Sequence, residues 1–307
     1  MIICCGEALI DMLPRRSTLG ETAFSPYPGG GMLNSAIALG RLGANAGLYC
    51  GISSDMFGQL LRKTLAASHV DERYLHPSPL PTTLAFVQLN NGQASYFFFD
   101  ENTAGRMLVE ADLPALGNEV EALLFGGISL IAEPCGSTYE TFMRRESQNR
   151  TMILDPNIRP DFIDDHTRHR ARINSMMTMA DIVKLSDEDL AWFGHAGSPD
   201  DFAQDRLRRE PGLIVITHGE KGTVGYTRNH RIAIAAPTVE VVDTVGAGDT
   251  FNGGLLASLQ AQGLLGKGRP ALLSAEQLHA ALEMASHAAA ISVSRAGANP
   301  PWRHELA

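Results

Sequence analysis

Along the chain, short apolar runs alternate with segments whose apolar residues recur at helical spacing. Residues 2–10, 46–52, 122–131, 151–157, 181–186 and 212–217 are the runs with β character. Several are apolar at almost every position, as a strand must be when helices cover both faces of its sheet. Residues 34–43, 56–68 and 137–148 lie between them and carry the helical period. The alternation predicts βαβ units around a mainly parallel sheet, hence an α/β protein.

Two segments break this pattern. Residues 11–28 carry turn formers and no helical period. Residues 80–100 read as two strands joined at Asn90-Asn91-Gly92, which suits a tight hairpin turn. Both are expected to project from the sheet edge as a small β lid over a cleft, spanning about residues 11–28 and 80–104. No repeat, low-complexity tract or linker divides the chain. A single α/β domain over residues 1–307 is therefore expected, with the lid inserted in it.

Composition narrows the classes. The 307 residues are 44% hydrophobic and 19% charged, enough for a substantial core and too apolar for wholesale disorder. A formal net charge of -9 argues against a nucleic-acid binder, whose phosphate contacts need a basic face. Cys4, Cys5, Cys50 and Cys135 have no zinc-type spacing and read as reduced thiols buried in strands. The N-terminal run lacks a basic flank and contains Glu7, so it reads as a first strand rather than a signal peptide. No apolar stretch approaches the length of a membrane span. A cytoplasmic protein without nucleic-acid or membrane partners is expected.

The chemistry concentrates in residues 241–254, VVDTVGAGDTFNGG. Residues 238–243 read as a strand, and Phe251, Leu255, Leu256 and Leu259 as one face of the helix that follows. Gly246-Ala247-Gly248 is then the strand-to-helix turn. The first amides of a helix have no internal partners, and the helix dipole adds positive charge there. Without side chains at Gly246 and Gly248, a phosphate can approach the backbone. Asp249 stands in the first turn. Beside an anion site, a carboxylate suits a general base that takes the proton of a hydroxyl attacking phosphorus. By itself, an acid at a helix N-terminus is also an ordinary structural choice.

These residues are not isolated. DTVGAGDTFNGG (243–254) resembles the C-terminal signature of the ribokinase-like (PfkB) family of carbohydrate kinases. PGGGMLNSAIALGRLG (28–43) resembles the N-terminal signature of the same family. GISSDMFG (51–58), DPNIRP (155–160), KLSDEDL (184–190) and THGEKG (217–222) match further motifs in the family's order, so the resemblance covers nearly the whole chain. SYFFFDENTAGRML (95–108) is most similar to the lid strand of the family's fructokinases.

The resemblance implies a three-layer α/β/α fold with a small β lid. It also implies transfer of the γ-phosphate of ATP to a primary hydroxyl of a small sugar, fructose foremost. ATP and Mg²⁺ would be required, with K⁺ as a further cation. Gly246, Ala247 and Gly248 would form the anion hole and Asp249 the base. Asp11, Gly29, Gly30, Asn34, Asn157 and Arg159 would meet the sugar. A carboxylate such as Asp11 can accept from two neighbouring hydroxyls at once. Along Tyr96, Phe97, Phe98 and Phe99, alternation puts two rings on each lid face. One face, with Phe97 assigned to it, would cover the sugar, and the other would meet a second subunit in a homodimer. Ser186, Thr217, Gly219 and Gly222 would line the nucleotide, together with Gly246 and Gly248. Asp189 would organise water around Mg²⁺. Asp243 and the carbonyls of Val245, Ser292, Arg295 and Gly297 would surround the monovalent cation.

Some positions depart from the family or carry a second reading. Ser186 and Asp189 stand where the family usually has Asn and Glu, and Asp is one methylene shorter. Pro301 replaces a Ser that some members use near the cation. Asn34 also fits a helix N-cap, and Asp55 reads as a structural cap. Gly31 stands at a variable position. His166 and His169 read as part of a solvated surface helix, not a metal site. Ketodeoxygluconate, ribose and nucleosides remain alternative acceptors, and a non-catalytic sugar sensor is a further alternative. A nicotinamide dehydrogenase and a P-loop kinase are disfavoured because neither glycine signature occurs.

Overall fold

Five apolar runs become strands buried along their whole length. In the computed structural model, which describes residues 1–90, 93–208 and 211–306, these are β1 (Ile2–Cys5), β4 (Ala46–Tyr49), β9 (Ala122–Gly126), β10 (Thr151–Asp155) and, but for its last residue, β11 (Ile182–Ser186). With β12 (Leu213–Thr217) they pair in parallel. The antiparallel strands β13 (Thr223–Tyr226) and β14 (Arg231–Ile234) extend the sheet, in the order β14-β13-β12-β11-β10-β9-β1-β4. This last hairpin escapes the strand–helix alternation because its strands are only four residues long.

Helices cover both faces. On one side lie α1 (Gly31–Arg41), α2 (Met56–Ala67), α7 (Ala247–Ala261) and α8 (Ala275–Val293), packed on Ile2, Cys4, Leu48, Leu124 and Ile153. On the other lie α3 (Cys135–Glu146), α4 (His166–Met179) and α6 (Pro199–Leu207), with the short α5 (Asp187–Phe193) beside them. These pack on Ile3, Cys5, Leu123 and Phe125. Cys4 and Cys5 thus point to opposite faces, and all four cysteines are buried free thiols.

Several sequence boundaries shift. The run 2–10 breaks at Gly6-Glu7-Ala8 into β1 and β2 (Leu9–Arg16), and 46–52 breaks at Cys50 into β4 and β5 (Gly51–Ser53). The run 122–131 stops being a strand at Gly126. β5 pairs with β6 (His76–Ser78). Residues 238–243 form no strand. β14 ends at Ile234, and Val239, Val241 and Val242 are exposed in an irregular loop. α4 is not wholly solvated: His169 is buried, with Nδ1 3.3 Å from the Leu130 carbonyl, and burial lowers its pKa to about 4. Asp55 does cap α2, accepting from the Gly58 amide at 2.7 Å.

The two irregular segments form a separate four-stranded sheet in the order β3-β2-β7-β8, from β3 (Thr22–Gly29), β7 (Leu84–Asn90) and β8 (Gln93–Phe99). β2 pairs antiparallel with β3 and parallel with β7, which pairs antiparallel with β8. The Asn91-Gly92 part of the hairpin turn lies outside the described residues.

α7 departs from the one-faced helix expected of it. Every residue from Asp249 to Leu259 is buried, because α7 lies between α1 and α8. Gly253 and Gly254 make that fit possible. A Cβ on Gly253 would collide with the Ala38 Cβ, and one on Gly254 would stand 2.7 Å from the Ala285 Cα and 3.0 Å from the Met284 carbonyl. Alanine ordinarily favours a helix over glycine by about 1 kcal/mol, whereas overpacking against backbone costs about 1–3 kcal/mol. Gly254→Ala is therefore expected to lower the thermal unfolding midpoint. An unchanged or raised midpoint would show that α8 gives way freely.

Candidate active site

Strands β1, β9, β10, β11 and β12 end along one edge of the sheet, where open parallel sheets receive ligands. α7 begins at that edge. Its N-cap, Gly246, has φ 74° and no capping side chain. A Cβ there would crowd the Ala298 Cβ at 2.6 Å. The Ala247 amide donates to the Thr244 carbonyl at 3.3 Å. The amides of Gly248 and Asp249 meet no protein acceptor among the described residues. An anion can thus meet two bare N–H groups at the positive end of a helix.

Asp249 is the third residue of α7 and is buried. Its Oδ2 accepts from Asn34 Nδ2 at 2.9 Å. Burial raises its pKa to about 7; Asn34 opposes the rise, Asp155 and Glu7 add to it, and Lys184 opposes it. Asn34 lies inside the first turn of α1 and is not its cap; Gly30 holds the cap position with φ 107°. The reason is geometric: the chain needs positive φ before α1, and a Cβ on Gly30 would stand 2.8 Å from the Glu7 carbonyl.

On the lid side, Asp11 is half-buried, and burial raises its pKa to about 6. Gly29 ends β3 directly against it, since a Cβ on Gly29 would collide with the Asp11 carboxylate. Gly31, set aside as a variable position, is a point of convergence. A Cβ there would have Glu7 Oε1 at 3.1 Å, Asp249 Oδ1 at 3.3 Å and Asn157 Nδ2 at 3.6 Å. Asn157 follows β10 with φ 46°, and the exposed Arg159 hydrogen-bonds the Ile158 carbonyl.

Phe97 is paired on the outer face of the lid, although it also borders the cavity beneath it. Residues in register share a face, and Phe97 lies opposite Phe86 while Phe98 joins Ala85 and Asp11. The ring of Phe97 is 53% exposed on the outer face, where Phe24, Phe86 and Phe99 also stand. Tyr96 and Phe98 turn inward instead. They stack at 6.4 Å, and Phe98 meets Phe162 edge-on at 4.8 Å. A cavity of about 490 Å³ runs from Glu7 and Thr83 past Ser129 to Arg106, bordered by Tyr96, Phe97 and Phe98.

Thr217 ends β12, and its hydroxyl donates to the Leu185 carbonyl at 3.3 Å. Gly219 and Gly222 both have positive φ, and a Cβ on Gly222 would collide with the Ile234 carbonyl. Ser186 caps α5 and receives the Asp189 amide. Asp189 is 1% exposed, and its oxygens accept from the Ser186 amide, the Ser186 hydroxyl and the Ile158 amide at 2.7–2.8 Å. It is a clamp between two loops and does not fit a direct Mg²⁺ ligand. Asp243 accepts from the Val245 amide at 3.0 Å and the Gly297 amide at 2.9 Å, so it ties the loop before α7 to the loop after α8. The Ser292 carbonyl accepts the Arg295 amide, and the Arg295 guanidinium is drawn away to Glu305. An all-oxygen set of one carboxylate and loop carbonyls suits a hard cation.

Sequence reasoning missed two groups. Glu7 is half-buried, with Oε1 accepting the Gly31 amide at 2.8 Å and Oε2 the Ser129 amide at 3.3 Å. Burial raises its pKa against those bonds. The second group is Lys184, Asp155 and Asn252. Lys184 Nζ lies 3.2 Å from Asp155 Oδ2, which also accepts from Asn252 Nδ2 at 2.7 Å. The available signal was a lone lysine inside an apolar strand, since a buried charge needs a partner.

A sequence profile described as pfkB family carbohydrate kinase matches residues 1–305. The fructokinase of Rhizobium leguminosarum bv. trifolii is 54% identical over 278 residues, 91% of this chain and 85% of the relative. The fructokinase of Salmonella typhimurium is 34% identical over 84% of each chain. Among solved structures, the Xylella fastidiosa fructokinase with bound ATP aligns with a TM-score of 0.88 at 26% identity, covering 99% of this chain and 96% of that one. The Vibrio cholerae O395 fructokinase in its fructose, ADP and calcium ion bound form aligns at 0.82 and 25% identity, over 97% and 94%. The likeness runs from end to end in sequence and in fold, and the chain is a member of the pfkB family of carbohydrate kinases.

Proposed function

We propose that this cleft transfers the γ-phosphoryl group of ATP to a primary hydroxyl of fructose, with Asp249 as the base. The observation that carries the reading is a buried carboxylate, held by Asn34, in the first turn of a helix whose Gly248 and Asp249 amides are bare. The choice of fructose is supported by the 54% identical fructokinase and by the neighbours that hold ATP, or fructose and ADP.

In this reading the triphosphate tail lies on the Gly248 and Asp249 amides, while the turn of Thr217, Gly219 and Gly222 borders the nucleotide. Asp11 accepts from two sugar hydroxyls and so fixes the ring. Asn34 holds the Asp249 carboxylate in orientation. The hydroxyl oxygen bonds to the γ-phosphorus, the bond from that phosphorus to the bridging oxygen breaks, ADP leaves, and the hydroxyl proton passes to Asp249. Tyr96 and Phe98 close over the sugar and keep water from taking its place. Mg²⁺ bound with the nucleotide would neutralise phosphate charge there; Asp189 holds the Asn157–Ile158 loop from behind through the Ile158 amide. Asp243 and the carbonyls of Val245, Ser292, Arg295 and Gly297 would hold a monovalent cation behind the anion hole. The outer lid face, with Phe24, Phe97 and Phe99 exposed, is read as the contact with a second copy of the chain. No helix among the described residues is long and apolar enough to cross a membrane.

Asp249→Asn is expected to lower kcat by about 10²–10⁴-fold with ATP binding retained, and an unchanged kcat would remove the assigned base. Because the base must be ionised, wild-type kcat/KM should fall as pH drops below about 7. The linkage to stability has the opposite sense. A raised carboxyl pKa favours the folded state while the acid is protonated, and that advantage is lost as pH rises through about 7. Asp249→Asn should therefore be more stable than wild type at about pH 8, by on the order of 2–4 kcal/mol, and equal to it at about pH 3.

Asp11→Ala should raise KM for fructose and leave KM for ATP in place. In a coupled ADP-release assay, fructose should be preferred over ribose, nucleosides and ketodeoxygluconate, and preference for the acidic sugar would overturn the assignment. The double substitution Phe97→Ser, Phe99→Ser should convert a dimer to a monomer by light scattering. A wild-type monomer would refute the lid contact.

A further inference from the structure

Lys184 carries a charge for which the mechanism above has no use. Its strand is otherwise uncharged, and the residue is 4% exposed. Its Nζ lies 3.2 and 3.4 Å from the two Asp155 oxygens, longer than the about 2.7–2.9 Å of a tight charged hydrogen bond. The ammonium reaches both Asp155 oxygens, and of its three donors one is left to place.

Its position explains a glycine. Gly248 has no positive φ, so its backbone does not call for glycine. A Cβ there would meet one heavy atom within 4 Å, the Lys184 Nζ at 3.2 Å. The missing side chain keeps open a gap between the ammonium and the first turn of α7. Both walls of that gap are positive, one by formal charge and one by the helix dipole. Asp155 lies to one side, pulled toward Asn252, and Asp189 and Asp249 are the other acids whose charge reaches the ammonium. Burial lowers the Lys184 pKa, but Asp155 first and Asp189 next more than offset it, so the side chain stays protonated.

We propose that Lys184 is a further catalytic residue, whose ammonium meets the transferring phosphoryl group opposite the Gly248 and Asp249 amides. This rests on the reading of the cleft as a site of phosphoryl transfer from ATP. As the new oxygen–phosphorus bond forms and the bond to the ADP oxygen breaks, negative charge moves across the phosphoryl oxygens. Lys184 donates a hydrogen bond to that charge and keeps its proton, while the hydroxyl proton goes to Asp249.

The competing role is structural: Lys184 neutralises Asp155 and nothing more. Three variants separate the two, Lys184→Met, Asp155→Asn and the double variant. Replacing a buried ion pair as a unit is often neutral for stability, so the double variant remains a test even if Lys184→Met alone unfolds. Thermal unfolding checks each fold, and kcat and both KM values are measured with fructose and ATP. Loss of an electrostatic donor to a transition state costs about 10²–10³-fold in kcat. That loss is expected in the double variant, with KM for fructose held and Asp155→Asn alone markedly faster. A double variant that recovers wild-type kcat would overturn the proposal and leave Lys184 as a counterion. If instead the wild-type enzyme releases no ADP with any sugar, the phosphotransferase reading itself has failed.

Discussion

The 2.7 Å hydrogen bond from Asn252 to Asp155 joins the first turns of α7 to the end of a central strand. Much of the site depends on that tie. α7 is packed on every side, so its N-terminus can only sit where the sheet edge and its two glycine contacts allow. Once it is placed, its open amides, Asp249 and the Asn34 bond come with it. The arrangement uses a polar cluster where the core would otherwise be apolar, and each member is held by another. Glu7 supports Gly31 and Ser129, Asp189 supports Ser186 and Ile158, and Asp243 joins two loops. The result is a site whose reactive groups are fixed before any ligand arrives.

The buried carboxylates also set the balance between stability and chemistry. Asp249 is kept from water by the same packing that positions it. Its neighbours Asp155 and Glu7 repel its charge, and Asn34 and Lys184 favour it. Burial makes this carboxylate a stronger base than one in solution, at the expense of folding free energy, and the proposed role of Asp249 would draw on that. In that proposed role, reactivity and stability would oppose each other at this residue.

Much of this was legible in the amino-acid sequence. Strand and helix runs, the lid segments, Asp249 behind its glycine turn, and Asn34 four residues past Gly30 follow from periodicity and from the family resemblance. Three things did not. Residues 238–243 look like a strand because valine favours one, yet the adjacent edge strand ends at Ile234 and leaves them no strand partner, and the Val242 and Asp243 amides turn to the Val293 carbonyl instead. Phe97 and Phe98 differ only by parity, and parity is set by the pairing of β8 with β7, which no local pattern reveals. Glu7 and Lys184 belong to strands or strand ends that pattern alone reads as core. Their role appears only when chain segments far apart in sequence converge.

The parallel pairing of β2 with β7 has a mechanical consequence. It joins two pairs of strands, β2–β3 and β7–β8, into one continuous four-stranded sheet. Asp11 lies on β2, two residues past Leu9, and Tyr96 and Phe98 lie on β8, two strands away. In the proposed mode of binding, a sugar held by the Asp11 carboxylate and capped by those rings would touch both strand pairs of one stiff sheet, so capture of the small molecule and shutting of the door would become a single event.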